Sequence, residues 1–401
     1  MKDSFYYIRD GKMHRYDGEN SKEISSWVLD SYIKKVKDRA ERNEWKYNGD
    51  GAAFTGSGVP RASASEAVSS IFSRVNCVGE YNGNLLYSID IDSTNGIYRK
   101  SAEVESEGIV LCSSSLAYRN FDIKGDRLVT SSAFAGESHI GVLDLISNRF
   151  DTYTEGHVRD GSPVWSRVDS NKIYFCSAGL PENSQKDPEH DREPRGISQM
   201  VDEMYSASSV QLGPSAICIL DISEGRLDEL LSDNRYNFTS PQSLPDGSLY
   251  YIRKPYKYNS GGNSFGCLAD ALLLPVRLFG AIFGFLNVFS AKYSGKTLSR
   301  SDVKRKDERQ MIIDGNLINA ERELRENQRR GDKNPGIIPK SWELRRLDRE
   351  GNDVLIKSGV AAYRVYDNGN ILLSNGSHIL RIDKEGNEEK ILSAEGVTFI
   401  K

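Results

Sequence analysis

Arg346-Leu347-Asp348-Arg349-Glu350-Gly351 and Arg381-Ile382-Asp383-Lys384-Glu385-Gly386 are one phrase written twice. Ile219-Leu220-Asp221-Ile222-Ser223-Glu224-Gly225 is a third copy, and Val142-Leu143-Asp144 and Arg15-Tyr16-Asp17-Gly18 are weaker ones. Alternating apolar and polar residues make each a short strand, and the acidic turn that follows supplies a side-chain cap and a positive φ. A partner strand comes next, as in Val354-Leu355-Ile356 and Lys390-Ile391-Leu392. Upstream lies another hairpin, whose second strand reads Leu128-Val129-Thr130, Ile173-Tyr174-Phe175, Leu249-Tyr250-Tyr251-Ile252 or Ile371-Leu372-Leu373.

The repeating unit is therefore four antiparallel strands, a to d, at the spacing of propeller blades. Six units account for the chain: 70–115, 116–157, 158–234, 235–359, 360–394, and one divided between 396–401 and 1–26. In the divided unit Phe5–Ile8, Lys12–Tyr16 and Lys22–Ser25 are strands b, c and d, and Gly396–Ile400 returns as strand a. The fold class expected is all-β: a single six-bladed β-propeller closed by its N- and C-terminal strands, which leaves no long exposed edge. Three stretches exceed a minimal blade, at 27–69, 178–214 and 256–340. In an antiparallel blade the b–c and d–a connections share one face, so these helical insertions are expected together there. Long loops on a rigid scaffold commonly carry binding, and the bland counterpart is passive decoration of a tolerant surface.

Ser162-Pro163-Val164-Trp165-Ser166, followed by Lys172-Ile173-Tyr174-Phe175, resembles the TolB-like six-bladed propeller repeat, whose signature is P-x-W-S-P-D-G before strand b. The next unit carries the complementary half, Pro241 and then Pro245-Asp246-Gly247 before Leu249-Tyr250-Tyr251. The copies depart from the signature in different places: Arg167-Val168-Asp169 stands where Pro-Asp-Gly belongs, and Ser243 stands at the Trp position. The resemblance covers the blades and not the insertions. It implies a fold, since such propellers serve many roles.

One apolar stretch, residues 272–290, stands out from a polar chain. A single crossing of a bilayer would put strands of one blade on opposite sides, and a helical hairpin of two spans needs about 40 apolar residues. The longest uncharged run, Leu278–Ala291, is 14 residues, the length of an interfacial or buried helix. Between Lys292 and Arg309 seven basic residues outnumber three acidic ones, which suits an anionic leaflet. The apolar side chains are not confined to one helical face, which suits burial in protein. An attachment element is expected here, built from Leu272, Leu273, Leu274, Leu278, Phe279, Ile282, Phe283, Phe285, Leu286 and Phe289 with Lys304, Arg305 and Lys306. Ser301–Arg330 then reads as one long charged helix with a partial stripe of Met311, Ile312, Leu317, Ile318 and Leu324. It is either a solvated helix packed by one side or a docking helix.

Composition excludes several roles. A formal charge of −4 over 401 residues gives no global drive toward nucleic acid. Ser294-Gly295-Lys296-Thr297 looks like the tail of a phosphate loop, but Ser290 occupies the place of its first Gly and an apolar stretch precedes it, so no nucleotide is expected. The blades are expected to use up the chain, which leaves no room for the separate hydrolase domain that prolyl-peptidase relatives of such propellers carry. His14, His139, His157, His190 and His378 lack metal-ligand spacing, so no metal or other cofactor is expected. Met1–Tyr7 does not resemble a secretory signal. The odd set Cys77, Cys112, Cys176, Cys218 and Cys267 reads as buried free thiols in a reducing compartment. The expected location is cytoplasmic, with the inner face of the membrane as an extension of it.

The d–a connections should present polar groups at the mouth of the central channel: Arg119 and Asn120; His157, Arg159 and Asp160; Arg235, Tyr236 and Asn237; Tyr363 and Arg364. Such groups converging in a concavity fix a peptide or a small anion, or else hydrogen-bond one another and water. The reading is a non-catalytic, protein-binding scaffold with peripheral membrane contact as a second mode. The alternative is a lyase or hydrolase working at the channel mouth through His157, Arg159 and Asp160.

Overall fold

The computed structural model describes residues 4–44, 71–92, 94–101, 107–134, 136–180, 212–256, 310–313 and 316–401. The described chain is predominantly β, organised as four-stranded antiparallel meanders. In the first sheet, Val397–Ile400 lies beside Phe5–Arg9, Lys12–Tyr16 and Ser21–Ile24. The pairing across the chain ends sets Tyr7 opposite Ile400 and Arg9 opposite Val397. The second sheet is Ser73–Tyr81, Asn84–Ile91, Thr94–Lys100 and Glu107–Ser113. The third is Ala117–Lys124, Arg127–Phe134, Glu137–Asp144 and Phe150–Thr152, and the fourth is Val158–Trp165, Lys172–Gly179, Ala216–Asp221 and Arg226–Leu231. These two are joined by a parallel pairing of Ser138 with Arg159. The fifth is Tyr236–Ser243, Leu249–Pro255, Glu343–Leu347 and Asp353–Ser358, and the sixth is Ala362–Val365, Ile371–Ser374, His378–Ile382 and Glu388–Ser393.

The repeated acidic phrase forms the turn between third and fourth strands. Asp383 Oδ1 accepts the Asn387 amide at 2.8 Å and Asp348 Oδ1 accepts the Asn352 amide at 2.8 Å. Asp221, Asp144 and Asp17 cap their own turns the same way. The side-chain oxygen replaces a backbone acceptor, which is why a short polar residue is needed at that place.

Apart from the Ser138–Arg159 edge pairing the sheets meet through their faces, and each neighbouring pair shares an apolar cluster. Ile8, Met13, Val78, Tyr87 and Ile89 join the first sheet to the second. Cys77, Leu86, Phe121 and Leu128 join the second to the third. Val129, Ile140, Trp165 and Phe175 join the third to the fourth, Ile217, Phe238 and Tyr251 the fourth to the fifth, and Ile252, Leu344, Val365 and Leu373 the fifth to the sixth. A further cluster, Phe5, Tyr7, Val397 and Ile400 with Leu372 and Ile379, joins the sixth sheet to the first. Trp165 of the signature-like stretch is fully buried, with the Arg127 guanidinium 4.6 Å from its ring centroid. Burying a large apolar side chain of this kind contributes roughly 1.5–3 kcal/mol.

The first insertion opens with a helix, α1 (Trp27–Glu44), that packs Val28, Leu29 and Tyr32 against the cluster between the first two sheets. The Ser26 hydroxyl sits 2.8 Å from the Tyr87 hydroxyl, and Glu107 accepts the Val28 amide. The stretch expected as one helix over Ser301–Arg330 differs. Residues 301–309 lie outside the described residues; Gln310–Ile313 pairs with Asn316–Asn319 as a hairpin, and only Ala320–Arg329, here α2, is helical. Asp314-Gly315 between two β-branched runs is a hairpin signal, and it outweighed the helical spacing of the stripe. The hairpin and α2 bury Ile313, Ile318 and Ala320 against Ile337, Ile338 and Trp342.

Cys77, Cys176 and Cys218 are buried free thiols, and Cys267 lies outside the described residues. Cys112 corrects the expectation: it is exposed, because the fourth strand of the second sheet has solvent on its outer side. Among the described residues no helix is long and apolar enough to cross a membrane.

Candidate functional site

Two groups of polar side chains lie along the first strands, which pack against one another from sheet to sheet. The lower group centres on Asp122, whose side chain is 5% exposed. Arg167 Nη2 donates to both of its oxygens, at 2.9 and 2.7 Å, the Trp165 amide donates to Oδ2 at 3.0 Å, and Lys401 Nζ lies 3.5 Å from Oδ1. Burial alone would raise the Asp122 pKa. Lys401, Arg167, the Trp165 amide and Arg364 outweigh it and hold the carboxyl below its ordinary value. Lys401 is lowered by burial, against the pull of Asp122, and Arg364 lowers it further. The Cys77 thiol nearby is pushed up to about 12 by burial. Residues of the first, second, third, fourth and sixth sheets thus converge here. Every buried oxygen of Asp122 has a partner.

The upper group is built differently. Arg74 Nε donates to Asn76 Oδ1 at 2.7 Å, and Asn76 Nδ2 donates to Asp90 Oδ2 at 3.0 Å. Asp90 is 7% exposed, and its Oδ1 is buried without a hydrogen-bond partner. The Nε of Arg119 is buried without one as well. Burial pushes the Arg119 pKa down to about 10; Asp90 opposes this, while Arg74 and Arg159 add to it. Asp90 is raised by burial, against Arg119, Asn76 and Arg74. Two guanidinium groups, Arg74 of the second sheet and Arg119 of the third, therefore act on one carboxylate, and Arg159 of the fourth acts on Arg119.

Beside them, Arg159 Nε donates to the Gly136 carbonyl at 2.6 Å. Asp160 is 3% exposed; its Oδ2 accepts the Thr154 hydroxyl at 2.6 Å, its Oδ1 has no partner, and burial raises its pKa. Glu137 approaches His157 Nδ1 at 2.6 Å through Oε1 and His139 Nε2 at 3.8 Å through Oε2. The buried Nδ1 of His139 also has no partner. Buried polar atoms left without protein partners are where water or ligand binds.

Arg159 acts on Arg119, Asp160 turns to Thr154 and His157 to Glu137, and Asn120 Nδ2 lies 3.0 Å from Ser162 Oγ. Ser162 and Ser240 sit at φ 49° and 54° before Pro163 and Pro241, in bulges at matching places of the fourth and fifth first strands. Left-handed backbone at a non-glycine residue is strained; the bulges set the direction of the strand residues above them. Arg235 is directed to its own turn, paired with Asp233 at 2.8 Å. Asn237 accepts the Ser215 amide at 2.8 Å. The Tyr363 hydroxyl donates to the Ser240 carbonyl at 2.6 Å, and Arg364 belongs to the lower group. The attachment residues 272–306 lie outside the described residues.

Sequence reasoning missed Arg74, Asn76, Asp90, Glu137, Asp122, Arg167 and Lys401. Arg74 had a signal, since it opens the first strand of the second sheet as Arg119 and Arg159 open the next two. Asp90 ends a second strand, where the sequence gives no hint of direction. A separate cleft of about 310 Å³ lies between α2 and the sixth sheet. Of the charges lining it, Lys340 pairs with Asp332 and Lys357 with Glu388, each at 2.5 Å.

No family model matches the chain, and no curated protein is similar to it. Among solved structures, TolB from Acinetobacter baumannii is 10% identical over 99% of this chain and 65% of its own, with a TM-score of 0.47. A putative TolB from Agrobacterium tumefaciens is 11% identical over 81% and 82% of the two chains, TM-score 0.41. An oligogalacturonate lyase from Vibrio parahaemolyticus is 10% identical over 80% and 79%, TM-score 0.40. The chain spans 65% of the length of the Acinetobacter protein.

Proposed function

We propose that the meanders are the six blades of a closed, TolB-like propeller that works as a non-catalytic binding scaffold for a protein partner. Apolar clusters at every sheet junction, the sixth to the first included, support the ring. The upper group would then open at the mouth of the central channel.

The observation that carries the binding role is where the insertions leave. Leu180 donates to the His157 carbonyl at 3.0 Å, and Tyr256 donates through its amide to the Arg235 carbonyl at 2.8 Å. The Tyr256 hydroxyl donates to the Leu212 carbonyl at 2.7 Å. Stretch 181–211 therefore starts and returns beside the point where stretch 257–309 starts. The apolar and basic residues of the second stretch are the proposed attachment element, for a partner first and an anionic membrane surface second.

The test is replacement of 263–300 by a short linker. Loop length has a small effect on closure, about 0.6 kcal/mol per doubling, so the ring should keep its melting temperature. Cross-linking in cells, followed by identification of the adduct, should capture a defined partner with the full chain and lose it with the deletion. A full chain that stays monomeric and indifferent to cell extract and to anionic vesicles overturns the reading.

One observation favours an enzyme at the mouth instead, the 2.6 Å contact between His157 and Glu137, since a carboxylate orienting an imidazole is a common acid–base device. A hydrolytic or eliminating activity found in a substrate screen and abolished by His157→Ala would establish that reading.

A further inference from the structure

We propose that the cleft of about 310 Å³ between α2 and the sixth sheet is a binding site for a small organic acid, whose carboxylate sits among Lys333, Lys340 and Lys357. The site goes beyond the partner reading and does not depend on it, since none of its residues lies in a first strand or in 263–300.

The walls of the cleft are held from several sides. The Ile337 and Ile338 amides donate to the Asn375 carbonyl at 3.1 and 3.2 Å, and Asn375 Nδ2 donates to the Asn334 carbonyl at 2.8 Å. Asn327 of α2 donates to the Gly336 and Ile338 carbonyls at 2.7 and 3.2 Å. Lys357 of the fifth sheet pairs with Glu388 of the sixth. The volume is at the lower end of small-molecule sites, roughly 300–1,000 Å³, so a ligand of a few carbons fits. Three lysines line it against two carboxylates, Asp332 and Glu388. Each carboxylate already holds a lysine at 2.5 Å, and Glu388 Oε1 accepts from Asn334 Nδ2 at 3.3 Å as well. Burial would raise the Glu388 pKa, and Lys357, Asn334 and Lys340 hold it below its ordinary value. Lys333 has neither an ion pair nor a hydrogen bond among the described residues. An ammonium carries three donors, so the lysines keep hydrogens and one positive charge that the carboxylates do not match. An anion meets both, whereas a cation would compete with the lysines already seated on Asp332 and Glu388. The Lys340 and Lys357 side chains are 25% and 33% exposed, so water screens them less than it screens a surface ion. Ile338 and Leu380 line the same cleft; they offer contact to a carbon chain and nothing to inorganic phosphate.

The experiment uses the full chain, with succinate, its uncharged analogue succinamide and inorganic phosphate as probes and sodium chloride at matched ionic strength as control. Thermal unfolding and titration calorimetry are both read. Succinate should raise the melting temperature of the wild type by about 2 °C or more above the chloride control at saturation, and succinamide and phosphate should each give a smaller shift. Lys333→Gln should weaken succinate binding about tenfold or more. In chloride it should melt like the wild type, because Lys333 pairs with nothing else among the described residues. Lys333→Arg, which keeps the charge, should restore binding. A response equal in wild type and Lys333→Gln, equal for succinate and succinamide, as large with phosphate as with succinate, or absent altogether overturns the proposal. The 263–300 deletion leaves every one of these residues in place, so the partner reading and this site fail separately.

Discussion

Two buried carboxylates sit in first or second strands of adjacent sheets, and their surroundings are opposite. Asp122 is surrounded by the Arg167 guanidinium, the Trp165 amide and the Lys401 ammonium, and its pKa is lowered despite burial. Asp90, like Asp160 beside it, keeps one oxygen without a partner, and burial raises the pKa of both. Satisfied networks hold structure, because removing one member strands the rest. Unsatisfied ones weaken the empty protein and are left for something that binds. The lower group is complete within the fold, and the upper group keeps polar atoms that the protein leaves unsatisfied.

The sharpest way to break this comparison is Asp122→Ala. It leaves Arg167 and Lys401 uncompensated in the interior, and a loss of about 3–5 kcal/mol is expected, read by denaturant or thermal unfolding. The sign with pH follows from the lowered pKa. The stabilisation from Asp122 is fully present above the unfolded value, about 3.9, and disappears as pH falls through the folded value. A variant that melts within 1 °C of the wild type at neutral pH would show that Asp122 does not tie the sheets together.

What the sequence revealed and what it concealed divide along the same line. The Asp-x-x-Gly turns at 383–386 and 348–351 were legible because their chemistry is local: a side chain capping amides two to four residues on. Trp165 was legible as part of the repeat signature, and the structure buries it fully. The lower group was not. Lys401 and Asp122 are 279 residues apart, and no spacing rule connects them. Arg167 was noticed only as a departure from Pro-Asp-Gly, yet that departure supplies the guanidinium that pairs with Asp122. Likewise Ser243, at the Trp position of the next unit, accepts the Arg167 amide at 3.1 Å. Departures from a repeat mark the places where one unit touches another. Strand position grouped Arg235 with Arg119, Arg159 and Asp160 but could not tell that Arg235 turns to Asp233.

Asp160→Asn sharpens the comparison in the opposite direction. A raised folded pKa means that the wild type loses stability as pH rises from about 3.9 through the folded value, because the native state then has to ionise a buried group. The amide keeps an acceptor for Thr154 and carries no charge. At neutral pH the variant should be at least as stable as the wild type, to within about 1 kcal/mol, with a flatter pH–stability curve between pH 4 and 7. A loss as large as that of Asp122→Ala would erase the distinction between the two groups.

The smallest effect is expected at the rim, with Glu137→Gln. Glu137 is the partner that approaches both His157 and His139, so on paper it anchors more groups than Asp160 does. Its side chain is 36% exposed and that of His157 is 50% exposed. Water therefore screens the pair, and exposed pairs contribute about 0.2–1 kcal/mol at most. Gln keeps an oxygen at the same place and can still accept from an imidazole N–H, so the expected loss is near the lower end, under about 0.5 kcal/mol. The pair should also fade in 0.5 M salt, whereas the buried Asp122 contacts should not. Measuring both variants at low and high salt separates the cases: a salt-independent loss above 1 kcal/mol for Glu137→Gln would place this residue among the groups that hold the sheets, and would move the boundary between fold and function up to the rim.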